Sequence, residues 1–408
     1  MTSKRVRHNG EGSIYRRGNG YAAYVWVTAP SGRRSRKYLY GQDREELHAR
    51  WLELSRKAAR GPVTGRVPTV EQYLDRWLNE LVRPNLAPLT AATYESHVRN
   101  YITPGLGAIR LDRLRVHQVQ SWLNRIGTQC QCCAQRKDAA RAVPRCCALG
   151  RCCHQVPSAR TVKDVRGVLR SALSYAVSEE LVDRNVAALA RSPKQTHRSV
   201  EAWTSEEARL FLDSARRDGD AWYAAYLLVL VMGLRKGEVL GLGWDAVDLA
   251  AGELTVTRQL QRVRRTLLLR ETKTPSSDAS LPIPALVSHA LRERGIRQGE
   301  DRLAAGEAWH QAPTWPELVF TGRYGTPVDP RTFNRNFARG CAASGVRSLT
   351  VHAARRTCAS LLVDLEVHPR VIMRILRHAD LAVTMEVYAR ASSGATRTAL
   401  GRLGSSLE

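Results

Sequence analysis

The stretch that decides the fold reads GLRKGEVLGL at residues 233–242. It follows the longest uninterrupted apolar run of the chain, Ala221 to Met232, whose 12 residues predict a buried helix that ends at Gly233. A bilayer span needs roughly 20 apolar residues, so the run predicts a core helix and not a membrane anchor. Arg235 stands directly behind this helix, where an arginine is either a structural ion-pair residue or a functional one.

Further polar residues suited to phosphate chemistry follow this arginine along the chain. They are Lys273 in a polar turn between two strands, His352, Arg355, His378 and Tyr388. His352 and Arg355 are three residues apart, so a helix would place them on one face. Each residue alone is more often a surface or packing residue, but the ordered set over about 150 residues is far more specific.

With this set the chain resembles the tyrosine recombinases, the phage-type integrase family, over nearly its whole length. The strongest matches are GLRKGEVLGL at 233–242, TVHAARRTCAS at 350–360, and ILRHAD at 375–380 followed by Tyr388. The middle segment resembles the helical core-binding domain of the family, with Thr90, Tyr94 and ITPGLG at 102–107 in the usual places. The N-terminal segment resembles the arm-site-binding domain of three-domain integrases from mobile elements.

Pattern and resemblance together predict a fold that is mainly α with small β-sheets. Residues 1–62 are expected to form an arm-site DNA-binding domain with a three-stranded sheet and one helix. Residues 67–195 would form a helical core-binding bundle with a cysteine-rich insert at 129–155. Residues 200–408 would form the mixed α+β catalytic domain of a tyrosine recombinase.

The resemblance implies a role for each residue of the set. Tyr388 would attack the scissile phosphate and form a 3′-phosphotyrosyl link. Arg235 and Arg355 would hold the non-bridging oxygens, and His378 would donate a further hydrogen bond. Lys273 would protonate the leaving 5′-hydroxyl, while His352 would assist proton transfer at the tyrosine.

Three departures from the family pattern and one supporting residue lie next to these positions. Glu238, about one helical turn after Arg235, is expected to orient that arginine. Ala353 replaces a common acidic residue, Arg356 a common histidine, and Arg377 the usual glycine before the last histidine. None removes a catalytic group, but Arg377 is expected to alter the turn that holds His378.

The charge of the chain favours a polyanionic partner. Lys and Arg number 63 against 38 Asp and Glu, a formal net charge of +25, and each neutralised phosphate releases counterions. An incidentally basic, ribosome-like protein is the bland alternative. Hydrophobic residues make up 43% of the chain, which excludes wholesale disorder, and no apolar segment follows the basic N-terminus. A cytoplasmic, nucleoid-associated protein, encoded by a bacterium or a phage, is therefore expected.

The N-terminal segment concentrates this positive charge. Residues 1–66 contain 15 basic and 5 acidic residues, in short strand-like runs separated by turn residues. A small basic sheet can enter a DNA groove, whereas the alternative is a solvated charged face. The candidate DNA-binding residues are Arg16, Arg17, Arg33, Arg34, Arg36 and Lys37.

The cysteine-rich insert is not required by the family pattern. Seven of the nine cysteines fall in one 24-residue window, with a histidine beside the last. The candidate ligands are Cys130, Cys132, Cys133, Cys146, Cys147, Cys152, Cys153 and His154. Four of them would hold a structural zinc ion, and the spacing leaves open which four. A loop of reduced thiols is the alternative.

The predicted function is a site-specific recombinase that integrates and excises a mobile element without a cofactor for catalysis. Its partners would be double-stranded DNA attachment sites, three further copies in a tetramer on DNA, a directionality factor and a host DNA-bending protein. The tail from Ala391 to Glu408 could dock on a neighbouring subunit. A catalytically inactive DNA-binding regulator and a chromosome-maintenance recombinase are the alternatives.

Overall fold

The computed structural model describes residues 14–28, 33–60, 67–194, 202–272, 280–310, 314–377 and 405. The chain divides into two compact units, Met1–Gln195 and Thr196–Glu408. The predicted fold class is confirmed, because helices predominate and the sheets are small. The boundaries of the three predicted domains remain a prediction.

A three-stranded antiparallel sheet opens the first unit, with one helix against it. The elements are β1 (Tyr15–Arg17), β2 (Gly20–Thr28), β3 (Arg34–Gly41) and α1 (Arg44–Arg60), and the strands pair in the order β1-β2-β3. Side chains alternate between the two faces of a strand. One face of β2 therefore turns Val25 and Val27 toward Leu54 of α1, and these three residues form a small core.

A helical bundle fills the rest of the first unit. Its helices are α2 (Val70–Trp77), α3 (Arg83–Asn85), α4 (Pro88–His97), α5 (Thr103–Leu106), α6 (Val116–Thr128), α7 (Gln131–Ala134), α8 (Ala159–Ser178) and α9 (Val186–Leu189). Thr69 closes a capping box with Gln72 at the start of α2, and Ser158 caps α8. Apolar side chains at helical spacing, Tyr73 and Trp122 among them, are buried in one core.

A proline often ends a helix, but Pro104 does not end the helical path that begins with α4. The helical path continues from α4 through a π-turn, Val98–Ile102, into α5. Pro104 lies in the first turn of α5, directly after this π-turn.

The second unit combines seven helices with two small sheets among its described residues. The helices are α10 (Ser205–Arg217), α11 (Tyr223–Leu230), α12 (Lys236–Leu240), α13 (Ala285–Ala305), α14 (Pro330–Ser344), α15 (Val351–Asp364) and α16 (Pro369–Leu376). The strands are β4 (Val247–Asp248), β5 (Glu253–Thr255), β6 (Arg258–Val263), β7 (Thr266–Glu271) and β8 (Ser280–Pro282). They form the antiparallel sheet β4-β5-β8 and the hairpin β6-β7. No helix in the described parts of either unit is long and apolar enough to cross a bilayer.

The core of the second unit surrounds α11, the helix predicted from the apolar run. Every residue from Ala224 to Leu230 is buried. Phe211, Phe333 and Phe337 pack around Tyr226 with ring centroids 4.9–6.0 Å from its own. This core fixes the C-terminal end of α11, from which the next residues lead to Arg235.

Candidate active site

Gly233 sets the direction in which the chain leaves α11. Its φ of +62° is a left-handed conformation that suits glycine, and a Cβ here would collide with the side chain of Leu376 and lie 3.3 Å from Cys358 Sγ. The absence of a side chain lets α15 and α16 pack directly against this turn. Gly233 therefore lets Arg235 lie close to both α15 and α16.

Gly241 brings α12 against β6. A Cβ on Gly241 would lie 2.7 Å from the backbone nitrogen of Leu260, closer than real contacts allow. Two glycines of GLRKGEVLGL therefore allow close packing: Gly233 against α15 and α16, and Gly241 against β6. Strand β6 itself was not predicted, because only Leu260 among its residues is fully buried.

Glu238 is the centre of a buried ionic network. Its side chain is 3% exposed and lies among three guanidinium groups. Arg235 Nη1 donates to Oε1 at 2.7 Å, and the backbone N–H of Arg235 donates to Oε2 at 2.7 Å. Arg377 Nη2 donates to Oε2 at 2.5 Å, while Arg355 Nη1 lies 3.9 Å from the same oxygen. The expectation that Glu238 orients Arg235 agrees with these contacts.

Burial opposes ionisation of Glu238, but its neighbours outweigh that effect. The charges of Arg377 and Arg235 and the hydrogen bonds from Arg235 hold the pKa of Glu238 below its ordinary value. The carboxylate is therefore ionised at neutral pH. Three guanidinium groups around one carboxylate leave an excess of two positive charges, which suits the binding of a phosphate group.

Arg355 is held from two further directions. It lies on α15 with a side chain 5% exposed, and its guanidinium donates to the carbonyl oxygens of Gly233 and Leu376. Burial, together with the charge of Arg235, lowers the pKa of Arg355 to about 9. The guanidinium stays protonated at neutral pH, so burial restricts its movement without removing its charge.

His352 lies one turn before Arg355 on the same helix, as its spacing predicts, and is exposed. Desolvation, followed by the charges of Arg356, Arg355, Arg235 and Lys236, lowers the pKa of His352. The imidazole is therefore neutral near pH 7 and able to accept a proton. A neutral histidine among cations fits the predicted part in proton transfer.

The structure adds two residues that the sequence did not assign to the site. Arg377 has a fully buried side chain, a φ of +52° and the ion pair with Glu238. Lys236 is half-buried, with Nζ 3.1 Å from Asn334 Oδ1, and burial lowers its pKa. The sequence marked Arg377 as a departure from glycine and Lys236 as part of GLRKGEVLGL, but it assigned neither residue a role in the site.

The described residues thus bring together four members of the predicted site and leave three untested. Arg235, Glu238, His352 and Arg355 lie around one point of the second unit. The other three predicted residues, Lys273, His378 and Tyr388, lie outside the residues that the structure describes. Their roles remain predictions.

The predicted DNA-binding residues of the N-terminal sheet divide between its two faces. Pairing of Ala22 with Tyr15 and Tyr40, of Tyr24 with Tyr38, and of Trp26 with Arg36 defines an aromatic face. The term aromatic face is used below for the surface formed by Tyr15, Arg17, Tyr24, Trp26, Arg34, Arg36, Tyr38 and Tyr40. On it the guanidinium of Arg36 lies 4.8 Å from the ring centroid of Trp26, and that of Arg17 lies 5.1 Å from Tyr40.

The other predicted residues of this sheet point away from the aromatic face. Arg16 and Lys37 alternate with their neighbours and lie on the side that carries α1. Arg33 precedes β3 and is exposed. A single surface therefore contains Arg17, Arg34 and Arg36 but not all six candidates.

The cysteine-rich insert connects α6 to α8. Its seven thiols are all free, and its sulfurs approach one another in pairs at 3.7–4.0 Å. Four-membered groups of these thiols lie close enough together to hold a metal ion, and His154 belongs to neither group. The insert could therefore bind a metal through cysteines alone.

Comparisons with known proteins agree with this site. Residues 202–394 match the model of the phage integrase family, and residues 69–127 match the N-terminal SAM-like domain of phage integrases. The chain belongs to the phage integrase family. The predicted class of enzyme, a DNA strand-transferase that performs site-specific recombination as an integrase, is thereby confirmed, and the two alternatives are not favoured.

Individual members of the integrase family match most of the chain. An integrase of Streptomyces ambofaciens is 29% identical over 369 residues, which cover 88% of this chain and 86% of the relative. A XerC-like tyrosine recombinase of Caldanaerobacter subterraneus is 25% identical over 375 residues, 88% of each chain. The Tn1549 transposon integrase, solved with transposon right end DNA, has a TM-score of 0.65 at 19% identity, over 82% of this chain and 99% of that one. At this identity the structural likeness shows the fold.

Proposed function

We propose that this integrase cuts and rejoins double-stranded DNA attachment sites through a 3′-phosphotyrosyl bond to Tyr388, and so integrates and excises a mobile element. The observation that supports the proposal is the arrangement of Arg235, Arg355 and Arg377 around the single carboxylate of Glu238. The excess of positive charge in this partly buried site would stabilise the charge that builds on a phosphate during transfer.

Arg235 and Arg355 would stabilise the charge on the phosphate by different means. Arg235 has a side chain 42% exposed, so it retains donors for an incoming phosphate while Glu238 fixes its orientation. Arg355 is buried and held by two backbone carbonyls, which leaves it little freedom to move. Rigid donors need no reorganisation as the transition state forms, which is the advantage of a preorganised site.

Proton transfer would be divided between His352 and Lys273. His352, whose pKa is lowered by desolvation and by its cationic neighbours, would accept the proton of the tyrosine hydroxyl. Lys273 would protonate the leaving 5′-hydroxyl, and His378 would donate a hydrogen bond to the phosphate. The phosphotyrosyl bond conserves the energy of the broken phosphodiester, so a second 5′-hydroxyl can rejoin it without a cofactor.

DNA binding would involve both units. The aromatic face of the N-terminal sheet offers guanidinium groups lying over aromatic rings, and we place the arm-site contacts there.

Recombination between two duplexes needs four active sites, so the protein would act as a tetramer on DNA, with the tail from Ala391 to Glu408 docked on a neighbouring subunit. We further propose a directionality factor and a host DNA-bending protein as partners, and the bacterial nucleoid, in the cytoplasm, as the place of action. In the insert, zinc would serve as a structural ion.

A suicide DNA substrate tests the central proposal. A nick near the cleavage position lets the short 5′-hydroxyl fragment diffuse away, so the covalent intermediate accumulates and can be counted on a denaturing gel. The wild-type protein should form this adduct, and Tyr388→Phe should bind the same DNA with unchanged affinity yet form none. An adduct formed by the Phe variant would show that another residue is the nucleophile.

A further inference from the structure

The seven cysteines of the insert form two groups that share one member. One group is Cys130, Cys133, Cys147 and Cys152, and the other is Cys132, Cys146, Cys147 and Cys153. Within each group all four sulfur atoms lie within 4.8 Å of one another. The groups use every cysteine of the insert, and Cys147 belongs to both.

The distances between the sulfur atoms distinguish a metal site from disulfides. Neighbouring sulfurs are 3.7–4.0 Å apart, as between Cys147 and Cys153, Cys133 and Cys152, and Cys130 and Cys147. A disulfide needs about 2.05 Å. Four thiolates around a tetrahedral zinc ion at about 2.3 Å would be about 3.8 Å apart along each edge.

We propose that the insert binds two zinc ions in one binuclear centre, with Cys147 as the thiolate ligand shared by both ions. Two tetrahedral ions need eight ligand positions, and seven thiolates fill them when one is shared. The sulfur atoms of Cys130 and Cys153, which belong to different groups, lie 3.8 Å apart, so the two groups are in contact beside the cysteine that they share. This goes beyond a single structural ion with four ligands.

The charge of the insert suits such a centre. Seven thiolates and two zinc ions leave three negative charges, and the only acidic residue between 129 and 155 is Asp138. Arg136, Lys137, Arg141, Arg145 and Arg151 provide five positive charges in the same segment. Backbone N–H groups also point at the sulfurs, from Gln155 to Cys130 at 3.3 Å and from His154 to Cys152 at 3.4 Å.

Asp138 positions the turn that carries the shared ligand. Its fully buried carboxylate accepts backbone N–H groups of Arg145 at 3.0 Å, Cys146 at 2.8 Å and Ala148 at 3.1 Å. These bonds hold the residues on both sides of Cys147. Groups that orient metal ligands in this way tune the affinity of a site.

The insert has no apolar core of its own. None of the described apolar clusters includes a residue between 129 and 155. Val143 and Leu149 are 69% and 58% exposed, while Cys132 and Asp138 are buried. A segment that has no apolar cluster and exposes its apolar side chains is one in which metal binding takes the place of a hydrophobic core.

Metal content of the purified full chain tests the proposal directly. Native mass spectrometry and elemental analysis should find two zinc ions per chain. After exchange with cadmium, ¹¹³Cd NMR should show two resonances coupled to each other through the shared sulfur. One zinc ion or none per chain, or two uncoupled cadmium resonances, would overturn the shared centre.

Substitutions locate the shared ligand. Cys147→Ser should bind fewer than two zinc ions, whereas His154→Ala and Cys341→Ala, which remove a neighbouring side chain and a distant thiol, should each retain two. Retention of both ions by Cys147→Ser, or loss of an ion in His154→Ala, would contradict the assignment. The wild-type measurements stand even where the Cys147 variant does not fold.

Discussion

Two clusters of polar side chains dominate this protein, and they are held together by opposite means. The network around Glu238 lies at the edge of a large apolar core, whose helices fix Arg235 and Arg355 before any charge is considered. The insert gathers seven thiols without a core of its own. Packing of the apolar core positions the first cluster, whereas bound metal ions would position the second. Different perturbations should therefore disorder the two clusters.

Removal of metal should produce the largest effect, confined to the insert. With zinc extracted by a chelator, hydrogen exchange followed by mass spectrometry should show residues 129–155 losing protection by about a thousandfold or more, because their order depends on the ions. Peptides of α11 should exchange as before, since their protection comes from the apolar core. A metal-free insert that keeps its protection would show that Asp138 and the backbone suffice.

Glu238→Gln should have the next largest effect, in the other cluster. The substitution keeps the shape of the side chain but leaves three guanidinium groups without a compensating charge. We expect DNA cleavage to fall about 100-fold and the free energy of unfolding to fall by about 3 kcal/mol. Single-turnover cleavage and denaturant unfolding measure the two quantities.

DNA affinity of the same variant shows whether Glu238 acts by orienting Arg235 or by changing the charge of the site. Glu238→Gln makes the site more positive, so its affinity for DNA should be unchanged or higher while cleavage falls. The exposed Glu206, changed to Gln, is the matched control and should alter neither cleavage nor stability. Equal losses of affinity and cleavage in the Glu238 variant would mean that the carboxylate does not act by orienting Arg235.

The starts of several helices follow from local signals in the sequence. Thr69, Ser158 and Thr204 each cap a helix, and a cap of this kind depends only on residues within one turn. The alternation of a strand would also have separated Arg16 from Arg17, which lie on opposite faces of β1. The six candidates therefore do not form a single DNA-binding group.

Contacts between distant parts of the chain could not be predicted in the same way. Arg377 meets Glu238 across 139 residues, and a departure from glycine says nothing about the partner it will find. The sharing of Cys147 between two groups likewise depends on how the insert bends around Asp138. In both cases the sequence identified the residues, and the fold decided what they contact.

Arg377→Gly tests how much the third guanidinium adds. Glycine accepts the φ of +52° at this position without strain, a gain of about 1 kcal/mol, while the lost ion pair with Glu238 costs about 2 kcal/mol. We expect a net loss of about 1 kcal/mol in unfolding and a several-fold slower cleavage. Arg377→Lys, which keeps the charge, should recover part of the rate; a glycine variant as stable and as fast as wild type would assign Arg377 no part in the site.

The smallest expected effect concerns the pH at which His352 becomes active. Arg356 lies one turn after His352 and is among the cations that lower its pKa, so Arg356→Gln should raise that pKa. Because the neutral imidazole is the proton acceptor, the rate of cleavage rises as pH rises through this pKa, and the rising limb should move to a pH about 0.3 higher. Arg209→Gln, a change at an exposed position on α10, should leave the limb in place. A limb that stays put in the Arg356 variant, or moves to lower pH, would mean that cleavage does not depend on deprotonation of His352, and the base would then have to be sought elsewhere in the site.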